Sequence, residues 1–228
     1  MTHRSAIAGQ GGGVAWVPPA GLLGWWYGDS TTGGAWTDRS GAGNHATLFN
    51  EPTLSADGMA CVAASKQYAQ SPAIYAASEI RPVTLCAWIR RAASPDKGMA
   101  VEQYASRGVG VGWGGISQLV AGNNAIIHNL SIAWVPASPA VTIGTGWRHL
   151  ALTVAGTTHL MYLDAVLVHT YASAFVAADG AAPIIIGGDP SGVRASTCTF
   201  DDAMAYGAAL TQEQIADIMA NSPGSHAT

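Results

Sequence analysis

The fold of the chain is decided by one stretch of sequence, Gly146-Trp-Arg-His-Leu-Ala-Leu-Thr-Val-Ala-Gly-Thr-Thr-His-Leu-Met-Tyr-Leu-Asp-Ala-Val-Leu-Val-His-Thr-Tyr171. Its β-branched and aromatic residues form three runs, and turn residues separate the runs. This pattern predicts three consecutive antiparallel strands over 147–154, 159–163 and 166–171. The turns fall at 155–158 and at Asp164-Ala165.

Side chains of a strand alternate between two faces, so the pairing of these strands assigns each residue to a face. If Leu163 pairs with Val166, one face is purely aliphatic and should point at the core: Met161, Leu163, Val166 and Val168. The opposite face is aromatic and mixed, which suits a boundary or a contact surface: Leu160, Tyr162, Leu167, His169 and Tyr171. His159 and His169 fall on opposite faces in this register, so we expect them not to share a metal ion.

Working outward, further apolar runs predict more strands. The clearest lie over 83–90, 183–186 and 197–206. In the first of these, alternation places one apolar set on a single face: Val83, Leu85, Ala87 and Ile89. Shorter candidates bring the total to about a dozen strands.

One helix is predicted, over 212–220. Thr211 is its N-cap, and Gln214 three residues later completes a capping box. Leu210 and Ile215 occupy the two positions of a hydrophobic staple. Many short strands followed by one late helix predict an all-β fold, a two-sheet antiparallel β-sandwich of the jelly-roll type with one short C-terminal helix.

The predicted organisation is a single domain with two flanking segments. A chain of 228 residues suits one all-β domain with a sizeable core. We expect an extended N-terminal arm over 1–20, the sandwich over 21–222 and a C-terminal tail over 223–228. The arm contains Gly11-Gly12-Gly13 and ends in Pro18-Pro19, so it should be ordered only when something binds it.

The chain is unusually poor in charge. Charged residues make up 11% of it, against roughly 25% in a typical globular domain, and the mean hydropathy is +0.21. Such a surface predicts contacts with other chains, although an Ala- and Gly-rich composition explains the same numbers. The net charge is −4, and the two lysines, Lys66 and Lys97, belong to no basic run, which argues against nucleic-acid binding.

Targeting and redox signals are sparse. No run approaches the roughly 20 apolar residues of a membrane-spanning helix. The first ten residues lack the apolar core of a secretory signal, so we expect a chain that does not use that export route or that was trimmed. The three widely spaced cysteines, Cys61, Cys86 and Cys198, form neither a disulfide framework nor a zinc site, and Cys86 is predicted to be a buried free thiol.

Six segments, in order, resemble motifs of one family. Trp36-Thr-Asp-Arg-Ser-Gly-Ala-Gly-Asn-His-Ala-Thr-Leu48 is similar to its "D-x-S-G-x-G-N-x-G" loop. Three strand motifs are similar to Val83-Thr-Leu-Cys-Ala-Trp-Ile, Gly146-Trp-Arg-His-Leu-Ala-Leu-Thr and Met161-Tyr-Leu-Asp-Ala-Val-Leu. The closing motifs are similar to Ile185-Ile-Gly-Gly and Phe200-Asp-Asp-Ala-Met-Ala-Tyr-Gly-Ala-Ala-Leu-Thr-Gln-Glu-Gln-Ile215. The chain therefore resembles the laminin-G-like, concanavalin A-like lectin/glucanase jelly rolls across residues 22–220.

This resemblance implies a metal site. Many family members hold a structural Ca²⁺ with aspartates and loop carbonyls, and Asp38 and Asp202 match motif aspartates. The alternative is that both carboxylates simply accept hydrogen bonds from loop amides. Two positions depart from the motifs. Ala46 stands where the family's loop motif tends to end in Gly. Ala165 replaces the Gly of the hairpin turn, so we expect the loop of that hairpin to be wider.

Glycoside hydrolysis, which other members of the fold perform, needs two carboxylates roughly 5–10 Å apart across a cleft. The four glutamates are isolated: Glu51, Glu79, Glu102 and Glu213. Asp201 and Asp202 are adjacent in a predicted strand and should face opposite ways. The chain also has no Gly-x-Ser-x-Gly nucleophile motif. We therefore predict that it is not an enzyme.

Three aromatic residues in or beside predicted loops are candidate sugar-stacking platforms: Tyr104, Trp113 and Trp134. Core filling or a contact between chains explains the same rings equally well.

Two functions remain. The first is a non-catalytic structural or adhesion protein on the surface of a virus particle, such as a bacteriophage decoration, head-fibre or tail-associated protein. It would contact other virion proteins or copies of itself, for example as a trimer, and enter no membrane. The second is an extracellular carbohydrate-binding lectin module that recognises a cell-surface glycan.

Overall fold

A computed structural model describes residues 16–75, 82–93, 96–103, 108–114, 122–129, 133–172, 182–223 and 226, with backbone only for 126–129 and 133. The strands in chain order are β1 (Leu22–Thr32), β2 (Ala35–Asp38), β3 (Thr47–Phe49), β4 (Thr53–Ser55), β5 (Gly58–Cys61), β6 (Tyr68–Ala73), β7 (Val83–Arg91), β8 (Gly98–Gln103), β9 (Val109–Gly114), β10 (Asn124–Asn129), β11 (Ala133–Pro136), β12 (Trp147–Ala155), β13 (Thr158–Leu163), β14 (Val166–Ala172), β15 (Pro183–Ile186) and β16 (Cys198–Tyr206). A short 3₁₀ turn covers Ala63–Ser65, and one helix, α1, covers Gln212–Asn221.

The strands form two antiparallel sheets. Sheet A has the order β14-β13-β12-β7-β16-β1-β2, and β5 and β4 extend it beside β16. Sheet B has the order β11-β10-β9-β8-β15-β6-β3. The predicted two-sheet β-sandwich with one C-terminal helix is thus confirmed.

The main core lies between the two sheets. Alternate residues of the central strands contribute fully buried side chains to it, among them Leu85, Leu150, Ile184 and Ile186. The aliphatic face predicted for β7 is confirmed, since all four of its residues lie in this core. A second apolar cluster lies on the outer face of sheet A, where α1 packs.

The decisive stretch forms β12, β13 and β14, and Leu163 pairs with Val166 as predicted. The face assignment is right for Met161 and Leu163, which are buried in the main core. Val166 is not buried as expected but 60% exposed, on a strand at the edge of sheet A. The face assignment is wrong for Tyr171, which packs against the main core.

A register shift in β14, located after Leu167, explains the error at Tyr171. Tyr162 pairs with Leu167, but Met161 pairs with His169, so one extra residue bulges out of β14. Each later side chain of β14 moves to the other face. Tyr171 therefore lies opposite His159, and their rings meet edge to face at 5.8 Å. By the same shift, His159 and His169 share a face of the sheet, contrary to the prediction.

The hairpin turn between β13 and β14 is not wider than usual. Asp164 and Ala165 have φ values of 50° and 60°, the left-handed pair that a two-residue type I′ turn requires. Asp164 compensates for part of the strain, because its carboxylate accepts a hydrogen bond from the backbone N–H of His149 and forms an ion pair with Arg148.

The helix matches its sequence signals. Thr211 caps α1 and forms the predicted capping box with Gln214. Leu210 and Ile215, the staple positions, are both buried in the cluster on the outer face of sheet A. Within the ranges given above, no helix has the length and apolar character needed to cross a membrane.

All three cysteines are buried free thiols, as predicted for Cys86. Cys61 and Cys198 lie directly opposite each other on β5 and β16. Cys86 points to the other face of sheet A, under the helix.

We expect the Asp164→Ala variant to lose stability by about 1–3 kcal/mol, because Ala tolerates left-handed φ poorly and leaves the N–H of His149 unpaired. Asp164→Asn is the matched control, since Asn tolerates this φ and keeps an acceptor. Urea unfolding measures both. Equal losses in the two variants would mean that the ion pair with Arg148, and not the turn geometry, is what Asp164 supplies.

Candidate functional site

The outer face of sheet A is divided into two halves. Helix α1 covers one half, packing against Cys86, Ala151, Met204 and Tyr206. The other half carries a row of neighbouring side chains on three adjacent strands. His149 of β12 lies opposite Trp88 of β7, and Trp88 lies opposite Asp201 of β16.

The next row on this half adds a second tryptophan. Trp147 of β12 pairs with Arg90 of β7, and the guanidinium of Arg90 lies 4.8 Å from the ring centroid of Trp147. Arg90 also forms a 3.3 Å ion pair with Asp57. We call Trp88, Arg90, Trp147, His149 and Asp201 together the aromatic patch.

The C-terminal tail contributes His226 to the aromatic patch. Its imidazole stacks on the ring of Trp147, with centroids 3.6 Å apart and planes 4° from parallel. The imidazole of His226 also meets the ring of Trp88 edge to face, with centroids 5.6 Å apart. Its Nε2 lies 3.1 Å from Oδ2 of Asp201, whose other oxygen accepts the backbone N–H of Gly28.

Three polar atoms of the aromatic patch are buried without a partner. They are Nε1 of Trp88 and both ring nitrogens of His149, none of which has a hydrogen-bond partner in the part of the chain that the structure describes. Burial lowers the pKa of His149 to about 3, so the imidazole is neutral and offers one donor and one acceptor. Each unpaired buried group costs about 1–3 kcal/mol, so this half of the sheet face holds polar groups whose hydrogen-bonding capacity is unused.

The two adjacent aspartates do not point to opposite faces. Asp201 pairs with Trp88 but Met204 pairs with Cys86, so β16 contains a bulge, and Asp202 has a φ of 49°. Both carboxylates bond to the C-terminal segment on the outer face: Asp201 to His226, and Asp202 to the hydroxyl of Ser222.

Asp202 is completely buried. Its carboxylate accepts hydrogen bonds from the indole Nε1–H of Trp25 and from the Ser222 hydroxyl. Burial raises the pKa of this carboxyl to about 7, an effect that the two hydrogen bonds only partly oppose. Such a group serves to join β1, β16 and the end of α1.

Asp38 organises the loop after β2. One oxygen accepts the backbone N–H groups of Trp25 and Ser40, at 2.9 and 2.8 Å. The other accepts the hydroxyl of Ser40 and the N–H of Asn44, each at 2.8 Å. Asp38 thus accepts hydrogen bonds from loop amides, which is the alternative to calcium binding that the sequence left open.

The carboxylate oxygens of Asp38 and Asp202 do not fit the predicted calcium site. Ca²⁺ needs six to eight oxygen ligands, whereas both oxygens of Asp38 and both of Asp202 face N–H or O–H groups. No cluster of three or more His, Cys, Asp or Glu side chains suited to a metal occurs among the described residues.

The structure describes two of the three predicted stacking rings, and they lie in different surroundings. Trp113 is fully buried in the main core, where it stacks on Phe200 at 6.3 Å, so it has no ring face for a sugar. Trp134 is half-buried on β11, the edge strand of sheet B. Tyr104 lies outside the described residues.

The sequence did not predict the aromatic patch, of whose residues Asp201 had been weighed as a candidate catalytic acid. A usable signal existed, because Trp88 and His149 alternate with core residues of β7 and β12 and must therefore point outward. The contribution of His226 had no such signal, since it depends on the path of the tail.

Comparison with known proteins agrees with the fold described above. The family model described as "Concanavalin A-like lectin/glucanases superfamily", of the laminin-G type, matches residues 63–216. No curated protein matches the sequence significantly.

Three solved structures with a similar fold come from different kinds of protein. Trypanosoma rangeli sialidase in complex with 2,3-difluorosialic acid is 18% identical with a TM-score of 0.65, covering 95% of this chain and 36% of the sialidase. Domain 4 of a GH43 extracellular arabinanase from Geobacillus stearothermophilus, in complex with arabinotriose, is 16% identical with a TM-score of 0.64, covering 87% of this chain and 98% of that domain. The receptor binding domain of botulinum neurotoxin D is 10% identical with a TM-score of 0.64, covering 87% of this chain and 52% of the toxin domain. The chain thus spans about a third of the sialidase's length, and at these identities the likeness shows the fold alone.

The raised pKa of Asp202 predicts a defined pH dependence. Its ordinary pKa of 3.8 applies in the unfolded chain and about 7 in the folded one. The folded state therefore holds this proton more tightly, and the stability it contributes is lost as the pH rises from about 4 through about 7. Asp202→Asn does not titrate, and its amide can still accept from Trp25 through the oxygen and donate to the Ser222 hydroxyl through the nitrogen. We expect its stability relative to the wild type to rise on the order of 2 kcal/mol across that range, measured by urea unfolding. A difference that does not change with pH would contradict the raised pKa.

Proposed function

Because the chain belongs to the concanavalin A-like lectin/glucanase superfamily, we propose that it is a non-catalytic module that recognises a carbohydrate at the aromatic patch. The observation that carries this proposal is the combination, on one sheet face, of a stacking ring with buried polar atoms that lack partners. Trp147 supplies the ring, and Trp88 and His149 supply the polar atoms.

The chemistry of the aromatic patch suits a sugar ring. The face of a tryptophan ring carries partial negative charge and attracts the weakly positive C–H groups of a sugar. Sugar hydroxyls both donate and accept, so they can pair with the carboxylate of Asp201, the indole N–H of Trp88 and the neutral imidazole of His149. A few placed polar groups beside an aromatic surface are typical of small-molecule binding sites.

The placement of the acids supports a non-catalytic role. Glycoside hydrolysis needs an accessible pair of carboxylates. Asp202 is enclosed beneath the end of α1, and Asp201 bonds to Gly28 and His226. Glu102 is fully buried on β8, 3.4 Å from Arg194, and burial raises its pKa to about 8.

The fold neighbours also support recognition. Domain 4 of the arabinanase is described in complex with arabinotriose, and the toxin domain is described as receptor binding. Both are described as domains of a larger protein.

We expect Trp147→Ala to weaken glycan binding tenfold or more, since loss of a central tryptophan typically costs about 2 kcal/mol of binding free energy. The matched control is Trp134→Ala, which removes the half-buried ring predicted from the sequence on the opposite sheet. Binding is screened on an array of neutral and acidic glycans and quantified by calorimetric titration.

Two outcomes would contradict parts of this proposal. Loss of binding in Trp134→Ala but not in Trp147→Ala would move the site to sheet B. Absence of binding to every glycan, both by the full chain and by a variant lacking residues 223–228, would contradict carbohydrate recognition itself.

A role as a structural or adhesion protein of a virus particle is the second candidate. The observation that favours it is β14, an edge strand of sheet A whose Val166 and Leu167 are 60% and 42% exposed. β14 carries no Asp, Glu, Lys or Arg to discourage pairing with another chain. Other virion proteins or further copies of this chain, for example in a trimer, would cover this edge.

The virion role predicts that mass spectrometry of purified virus particles detects the chain in stoichiometric amounts. It also predicts self-association by light scattering that a Val166→Lys variant weakens, because a charged edge resists strand addition. A monomeric chain that is absent from purified particles would contradict this role without affecting glycan recognition.

A further inference from the structure

The segment that follows α1 is attached to sheet A at two successive points. Ser222, at the C-cap of the helix, donates its hydroxyl to Asp202. Four residues later, His226 bonds to Asp201. The bulge in β16 brings both carboxylates to the outer face, so Ser222 and His226 bond to the same side of sheet A.

His226 sits as a small ring ligand would. The ring lies flat on Trp147, its edge meets Trp88, and one nitrogen reaches a carboxylate oxygen of Asp201. Only 11% of its side chain is exposed. A flat ring on a tryptophan with a polar edge at a carboxylate is also the arrangement that a sugar residue adopts on such a surface.

The imidazole nevertheless leaves the aromatic patch incompletely satisfied. With His226 in place, Nε1 of Trp88 and both ring nitrogens of His149 have no partner among the described residues. An imidazole has two polar atoms, and one of them already faces Asp201. A sugar residue carries several hydroxyls, so it can satisfy groups that the tail cannot.

The charges of the aromatic patch select the class of sugar. Asp201 presents a carboxylate to the occupant, and His149 is neutral. The one cation, Arg90, lies over Trp147 and is paired with Asp57. A carboxylated sugar would bring a second negative charge next to a buried one, which is strongly unfavourable.

We propose that His226 is a latch: its imidazole occupies the position of one neutral sugar residue, so the imidazole and a glycan exclude each other at the aromatic patch. This inference rests on the proposed function and adds to it the resident occupant of the site and the charge class of its ligand. Carboxylated glycans, such as sialylated ones, are excluded.

The test compares three full-length proteins: the wild type, His226→Ala and Asn221→Ala. Asn221 is the matched control, since its side-chain amide donates a hydrogen bond to Asp217 within the helix. Affinity for neutral and for sialylated oligosaccharides is measured by calorimetric titration after an array screen. If the tail occupies the patch about nine-tenths of the time, its removal raises the apparent affinity about tenfold.

We expect this gain in His226→Ala for neutral glycans only, and no change in Asn221→Ala. Equal affinity in all three proteins would overturn the latch and leave carbohydrate recognition standing. Binding of sialylated glycans as tightly as neutral ones would overturn the charge class. Absence of glycan binding in every variant would overturn the proposed function and this inference with it.

A second readout does not need a glycan. In a ¹H–¹⁵N spectrum, the indole N–H of Trp147, assigned by its loss in Trp147→Ala, feels the stacked imidazole directly. We expect it to shift in His226→Ala and to stay in place in Asn221→Ala. An unchanged resonance in His226→Ala would show that the tail is not seated, and would overturn the latch whatever the binding data.

Discussion

The bulge in β16 is the constraint on which the rest of the molecule depends. β16 lies in the middle of sheet A, between β7 and β1, and its extra residue turns Asp201 and Asp202 to the same outer face. Asp202 then joins Trp25 of the first strand to Ser222 at the end of the helix. Asp is one of the few residues that adopt left-handed φ at small cost, so the bulge is compatible with its own sequence. A regular strand would send one of these carboxylates into the apolar core, where a charge is very unfavourable.

The same bulge divides the outer face of sheet A into two environments. Towards the C-terminal end of β16 the face is apolar, and α1 covers it with Ile215 and Ile218. Towards the start of β16 the face carries tryptophan, histidine and aspartate side chains, and the tail reaches it through His226. A helix packs well on a flat apolar surface but not on a row that includes a carboxylate. The polar half is therefore contacted by His226 of the C-terminal segment and not by the helix.

The sequence predicted regular features well and irregular ones poorly. Alternation in β7 correctly assigned Leu85 and Ile89 to the core, and the capping box located the start of α1. Alternation fails wherever a strand gains a residue, because a bulge changes the face of every later side chain without leaving a mark in the hydrophobic pattern. This is why Tyr171 and the aspartate pair were assigned to the wrong faces. The aromatic patch was missed for a further reason: it combines three strands with a tail residue, and only the tertiary path brings His226 to Trp147.

The energetics of the aromatic patch explain why its composition points to recognition rather than to packing. A domain of this kind is stable by only about 5–15 kcal/mol, and each buried polar atom without a partner removes about 1–3 kcal/mol. Apolar residues in place of Trp88 and His149 would avoid that cost and still close the sheet. Keeping a histidine whose two nitrogens are both unpaired is therefore unfavourable for folding alone. Under the proposed function, a ligand with several hydroxyl groups would offset this cost, so the groups that weaken the fold would give the ligand its affinity.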